Sequence, residues 1–259
     1  MTDVQINSAH MNLLLTELRL PGVKAVWEEL SATADKEGWP AARFLSALAE
    51  HEISERDIRR IGRVISNAKL PPGKTLDNFD YTAVPMLSKS HVNALASSED
   101  WLDSGDNILI FGPPGVGKSH LSSAIGRSLG ERWRRVLFTR TTELVQKLQR
   151  ARRDLSLDSL LAKLDHFQLL ILDDFTYASK DQSESSVLFE LISYRYERRS
   201  MLLTANQPFS EWDKLFPERV MAAAAIDRLV HHATIFELNV ESYRRREAGR
   251  RKRSEKPQP

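Results

Sequence analysis

The chain of 259 residues contains no cysteine. Disulfides and thiolate metal sites are therefore excluded. Long apolar runs are also missing, and none approaches the roughly 20 residues that a membrane-spanning helix needs. The N-terminus lacks the basic-then-apolar layout of a secretory leader. These absences lead to the expectation of a cytoplasmic protein with no membrane partner. Net charge is low as well, at +2, but it is unevenly spread. Residues 243–259 hold eight Lys/Arg against two Glu, a net of +6 that leaves the remainder of the chain at −4. A basic tail on a mildly acidic body suits an anionic partner such as nucleic acid, or serves only to solubilise. The 41% hydrophobic content is enough for one good-sized core and a smaller domain.

The first seventy or so residues read as helical. Leu13, Leu14, Leu18 and Leu20 lie in a segment stopped by Pro21-Gly22, and Val23, Val26, Trp27 and Leu30 continue in a second. Pro40 suits the first turn of a third, ahead of Phe44, Leu45 and Leu48. Ser54 followed by Asp57 resembles a capping box opening a fourth. There Ile58, Ile61, Ile65 and Ala68 recur on one face, predicted to be buried, and Arg56, Arg59, Arg60 and Arg63 on the opposite one. An arginine face suits phosphate contact, or plain solvation. Residues 71–82, opening on Pro71-Pro72-Gly73, break the pattern and read as a linker. From about residue 106 strands alternate with helices. Strands are predicted at 107–111, 136–140, 168–172, 201–205 and 234–238, with helices around 119–132, 141–152, 184–199 and 217–231. The expected fold is α/β: a parallel five-stranded sheet with helices on both faces.

Gly112-Pro113-Pro114-Gly115-Val116-Gly117-Lys118-Ser119 fits G-x-x-x-x-G-K-[ST], between a predicted strand and helix. Glycines let backbone amides curl around phosphate oxygens. Lys118 is placed to reach the β/γ-phosphates and Ser119 to ligate Mg²⁺, with the helix N-terminus aimed at the same anion. Leu169-Leu-Ile-Leu-Asp173-Asp174 is an apolar strand ending in two acids, the Walker B pattern. Asp173 is the expected Mg²⁺ residue. Asp174 stands where a glutamate is usual and is the expected water-orienting base. ATP and Mg²⁺ are thus the expected ligands.

Met201-Leu-Leu-Thr-Ala-Asn206 looks like the sensor-1 strand of AAA+ ATPases, whose polar residue helps place the attacking water. Asp227-Arg228-Leu229 resembles the place where such proteins carry an arginine finger that acts on a neighbouring subunit, with Arg219 a nearby competitor. Together with His120, Leu172-Asp-Asp-Phe175, Leu188-Phe-Glu-Leu-Ile192, Arg195-Tyr-Glu-Arg-Arg-Ser200, Asn206-Gln-Pro-Phe-Ser-Glu-Trp212 and Ser242-Tyr-Arg244, these motifs make the chain resemble the IstB family. IstB proteins are AAA+ helper ATPases of bacterial insertion sequences, related to the DnaC helicase loaders. The match runs from about residue 10 to 246. Thr176 departs from the glycine frequent in relatives.

The resemblance implies a helical N-terminal DNA- or partner-binding domain (1–70), a linker (71–82), an AAA+ domain (83–243) without a helical lid, and a basic tail (244–259). It also implies ATP-dependent homo-oligomer assembly on double-stranded DNA and recruitment or activation of a cognate transposase. In initiator-type AAA+ proteins the segment after the second strand faces nucleic acid, which nominates Lys147, Arg150, Arg152 and Arg153 alongside the arginine face above. The nucleotide contacts implied are Gly112 to His120, with Lys118, Asp174, Asn206 and Arg228 catalytic. A helicase loader preferring single strands is the nearest alternative. A small-metabolite kinase and a non-hydrolysing nucleotide-gated adaptor are others.

Overall fold

The computed structural model describes residues 7–176, 181–207, 211–212 and 218–243. It divides into two compact units, Met1–Arg63 and Val64–Pro259. The basic tail expected at 244–259 lies outside the described residues. So does any lid beyond Tyr243.

The first unit is helical. Helix α1 (Ser8–Glu17) is capped by the Asn7 side chain. Pro21 starts α2 (Pro21–Glu37), and Gly38 closes it in the left-handed conformation. Helix α3 (Ala41–Ala68) is one continuous element. The capping box expected at Ser54–Asp57 is therefore not a helix start. No glycine or proline lies between Pro40 and Gly62, so nothing interrupts the ladder and no amide there needs a cap. The predicted buried face also fails at Ile58, which is 59% exposed.

What holds this unit together is a charge. Glu52 is buried, and its Oε2 accepts from the amides of Gly22 (2.7 Å) and Val23 (3.1 Å) in the first turn of α2. Its Oε1 pairs with Arg56 at 2.7 Å and Arg59 at 3.5 Å. A carboxylate on exposed helix amides is favoured by their hydrogen bonds and by the helix dipole. Desolvation alone would raise the Glu52 carboxyl. The Arg56 bond and the two amides outweigh it and hold the group below its ordinary value. Its stabilisation is therefore complete above the ordinary carboxylate range and is lost as pH falls through the depressed value. Glu52→Gln should destabilise this unit by about 1–2 kcal/mol at neutral pH. Amide exchange at Gly22 and Val23 should report the loss, and the difference from the unaltered chain should vanish in acid.

The second unit holds the sheet. In chain order it contains a 3₁₀ turn (Tyr81–Ala83), α4 (Lys89–Ser97), α5 (Asp100–Ser104), β1 (Asn107–Phe111), α6 (Lys118–Glu131), β2 (Val136–Arg140), α7 (Thr141–Arg153), α8 (Leu157–Asp165), β3 (Leu169–Asp173), α9 (Gln182–Arg195), β4 (Ser200–Ala205), α10 (Arg219–Val230) and β5 (Ala233–Glu237). All five strands fall within one residue of their predicted positions. Helices α4, α5 and α8 were not foreseen. Each spans nine residues or fewer, too short for a clear 3.6-residue period.

The sheet is wholly parallel, in the order β2-β3-β4-β1-β5. Its inner strands are buried on both faces, as crossover helices require. Leu109, Phe111, Leu170, Leu172, Met201 and Leu203 face the helices α7 to α10. Ile108, Ile110, Leu169, Ile171 and Leu202 alternate with them toward α4, α5 and α6. Arg195 is fully buried at the entry ends of β3 and β4, donating to the carbonyls of Leu164, Phe167, Gln168 and Ser200. Burial pulls its guanidinium down to about 10, against the pull of Asp165, so it stays charged at neutral pH. The specific Arg195–Ser200 stretch is thus a structural brace.

Candidate functional site

Strand β4 lies between β1 and β3. This single fact of topology sets three motifs side by side at the carboxyl ends of adjacent strands: Gly112 after β1, Asn206 after β4 and Asp173-Asp174 at β3. Polar groups collect there because the strands behind them are buried on both faces.

The phosphate loop leaves β1 through Gly112, at φ 149°. A Cβ there would stand 2.5 Å from the Leu238 carbonyl, just past β5. Gly117, at φ 106°, is the N-cap of α6 and offers no side chain to its amides. These amides and the helix dipole are thus presented to an anion. Lys118 is 5% exposed. Its Nζ donates to the carbonyls of Gly112 (2.7 Å) and Pro113 (3.0 Å) and to Asn206 Oδ1 (2.8 Å). The ammonium is therefore positioned from both β1 and β4.

The two acids are separated by their backbone. Asp173 ends β3 and is 7% exposed, its Oδ1 accepting from Thr204 Oγ1 at 2.6 Å. The chain then turns through Asp174 at φ 55°, an uncommon conformation for a residue with a Cβ. The Asp174 amide donates to the same Thr204 hydroxyl at 3.0 Å. Asp174 lines the cavity, and Asp173 is not among its lining residues. The Thr176 hydroxyl accepts a hydrogen bond from the backbone amide of Asn206 at 3.1 Å. It ties the acidic turn to the end of β4.

A cavity of about 880 Å³ is lined by Pro114 to His120, Asp174 and Asn206. That volume suits a nucleoside triphosphate. Serine and carboxylate oxygens from Ser119, Asp173 and Asp174 are the hard donors that Mg²⁺ prefers. Lys74, Phe79 and Val84, from outside the motifs, also line it, as does Tyr243 of the Ser242-Tyr-Arg244 motif. Residues 71–82, read from their breakers as a linker, are thus part of the wall. Phe79 is 7% exposed and Asp80 caps the turn that follows. Tyr243 arrives after β5, its amide bonded to the Gly115 carbonyl at 3.0 Å.

The family model described as "IstB-like ATP binding protein" matches residues 13–251. The chain belongs to this family. It is 63% identical over 248 residues to an insertion-sequence ATP-binding protein of Sinorhizobium fredii, covering 96% of this chain and 83% of that one. It is 36% identical to the ATP-binding protein of insertion sequence IS5376 from Geobacillus stearothermophilus, covering 93% and 96%. The fold is shared with AMPPCP-bound DnaA from Aquifex aeolicus (TM-score 0.55, 22% identity, 72% of this chain and 56% of that one). It is also shared with the DnaC helicase loader (TM-score 0.51, 17% identity, 66% and 98%). The sheet is therefore that of a P-loop AAA+ protein, in an IstB-like chain.

Other nominated residues lie elsewhere. Arg228 is not among the cavity-lining residues; it stacks over Phe189 of α9 at 5.0 Å and donates to the Ala224 carbonyl. Lys147, Arg150 and Arg153 are exposed on α7. Arg152 is instead drawn to α9, where it pairs with Glu190 and donates to Ser186. On α3, Arg56, Arg59, Arg60 and Arg63 are exposed, but Arg56 and Arg59 already serve Glu52. The stretch after Asn206 splits: Trp212 is fully buried against Phe175 and Phe111, while 208–210 lie outside the described residues.

Thr204 is the residue that sequence reasoning missed. It is the penultimate residue of β4 and fully buried, so pattern assigns it to the core. A polar residue two positions before Asn206 was the available signal. Outer-shell bonds of this kind typically contribute 10–100-fold. Thr204→Val, nearly isosteric, should lower ATP turnover by at least about tenfold while leaving the nucleotide Kd nearly unchanged, as measured by steady-state kinetics beside calorimetry.

Proposed function

We propose that this chain is an ATPase that assembles on duplex DNA and recruits or activates the transposase of its own insertion sequence. The observation that carries the reading is the convergence of Lys118, Asn206 and Asp174 on one cavity, in a member of an ATP-binding insertion-sequence family. Lys118 would shift its hydrogen bonds from the loop carbonyls to the β/γ-phosphates. Asn206 and Asp174 would hold a water in line with the γ-phosphorus, with Asp174 taking its proton. The water oxygen bonds to phosphorus as the bond to the bridging oxygen of ADP breaks. Ser119 and Asp173 would hold Mg²⁺, whose charge offsets that of the phosphates.

The position of Arg228 outside the cavity of its own chain favours action in a neighbour's site. Efficient hydrolysis then requires a homo-oligomer. Exposed Lys147, Arg150 and Arg153 supply phosphate contacts from the AAA+ unit, and Arg60 and Arg63 from the helical unit. Such contacts are weakly sequence-selective and salt-sensitive. The helical unit and the basic tail are the proposed docking regions for the transposase.

Steady-state ATPase assays with long duplex DNA test this. Turnover should rise with duplex and fall as salt increases. Stimulation by single strands but not by duplex would overturn the reading in favour of a helicase loader. Arg228→Ala should preserve ATP binding and depress turnover by about a thousandfold, the lower end of arginine-finger effects. A normal rate would remove Arg228 from the mechanism.

A further inference from the structure

His120 follows the phosphate-binding Lys118-Ser119 pair in the first turn of α6, yet its ring engages a different part of the chain. Nε2 lies 3.0 Å from the Thr75 carbonyl and 2.8 Å from Asn78 Oδ1. The orientation of the Asn78 amide is fixed by its other bonds. Oδ1 accepts from the Thr75 amide at 3.0 Å, and Nδ2 donates to the Gly73 carbonyl at 2.7 Å. Both neighbours of Nε2 are therefore acceptors, so Nε2 carries the proton and donates. The Nε2–H is thus directed to residues 75–78.

Those residues form a short strap. Thr75 and Asn78 close on each other, the Asn78 amide returning a bond to Thr75 Oγ1 at 3.3 Å. Apart from His120, the bonds recorded for Thr75 and Asn78 stay within residues 73–78 and are exposed. Such a segment opens at low cost unless it is tied down. The next residue is Phe79. Its ring meets the His120 ring edge-on at 5.2 Å and Tyr81 at 4.9 Å. It also closes over Gly117, where a Cβ would stand 3.1 Å from it. Phe79, Ala83 and Val84 form an apolar part of the cavity lining, and Lys118, Ser119, Asp174 and Asn206 a polar part. A nucleotide has the same two ends. With phosphates at Lys118, the apolar part of the lining that includes Phe79 would be left for the heterocyclic base.

We propose that His120 is a positioning residue for base recognition: its hydrogen bond fastens the strap to the phosphate-binding helix and so holds Phe79 against the base of a bound nucleoside triphosphate. The inference rests on the reading of this cavity as the ATP site. It separates two contributions that one loop joins, the charge of the phosphates and the face of the base. Weakening the fastening should reduce the second and spare the first.

Calorimetry on the full chain distinguishes these contributions, with Mg-ATP and Mg-tripolyphosphate as the two ligands. His120→Ala should raise the Kd for ATP about tenfold, the equivalent of one such hydrogen bond, and leave tripolyphosphate within about twofold. His120→Gln, whose amide can donate to the same acceptors, should recover most of the ATP affinity. Phe79→Ala should reproduce the pattern of His120→Ala. Equal weakening of both ligands, or unchanged ATP affinity, would overturn the proposal. Should His120→Ala not fold, Asn78→Ala removes the strap's side of the contact and carries the same expectation and the same refutation. An unaltered chain that binds neither ligand would refute the ATP reading itself. One that binds both with equal affinity would refute base recognition alone.

Discussion

Burial of the inner strands on both faces is the constraint from which the rest of the structure follows. Strands β1, β3 and β4 offer no solvated face, so their polar groups can appear only at the ends. At the entry ends the solution is Arg195, a buried cation that satisfies four carbonyls of the surrounding turns. At the carboxyl ends it is the site. Orphaned buried polar groups cost about 1–3 kcal/mol each, and several of the polar side chains there are drawn into a network. Lys118 meets Asn206, Asp173 meets Thr204, and Thr176 meets the amide of Asn206.

That network gives the site a definite logic. Thr204 bonds both the side chain of Asp173 and the amide of Asp174, so one hydroxyl sets the two acids relative to each other. The chain turns left-handed at Asp174, and of the two acids Asp174 is the one that lines the cavity. Opposite these groups, the strap at residues 73–80 closes the same cavity with an aromatic ring. The cavity is therefore lined by five separated segments of one unit, and only the phosphate loop is a local structure.

Legibility followed that division. The P-loop was readable because its chemistry needs particular residues at adjacent positions, and Gly112 and Gly117 do occupy conformations that favour glycine. Strand positions were readable because short runs of two to four apolar residues bounded by polar ones leave few alternatives. The lining role of residues 73–80 was not readable, because prolines and a glycine mark a break in helix without saying what the segment packs against. Ser54 misled because a capping pattern in the middle of an uninterrupted helical run has no amides left to cap. Ile58 misled because the spacing of an apolar stripe does not say whether anything covers it.

By itself, the sequence determined the strand-and-helix alternation, the phosphate loop and the acidic end of β3, since each is encoded in contiguous residues whose backbone preferences are local. The tertiary structure alone decided the strand order that puts Asn206 between the loop and the acids. It alone also selected Thr204 as the organiser of both aspartates and His120 as the tie between Asn78 and the phosphate-binding helix. It directed Arg152 inward to Glu190 and left Lys147, Arg150 and Arg153 exposed on the same helix. These outcomes depend on which segments, often tens of residues apart, pack together. No local pattern records that choice.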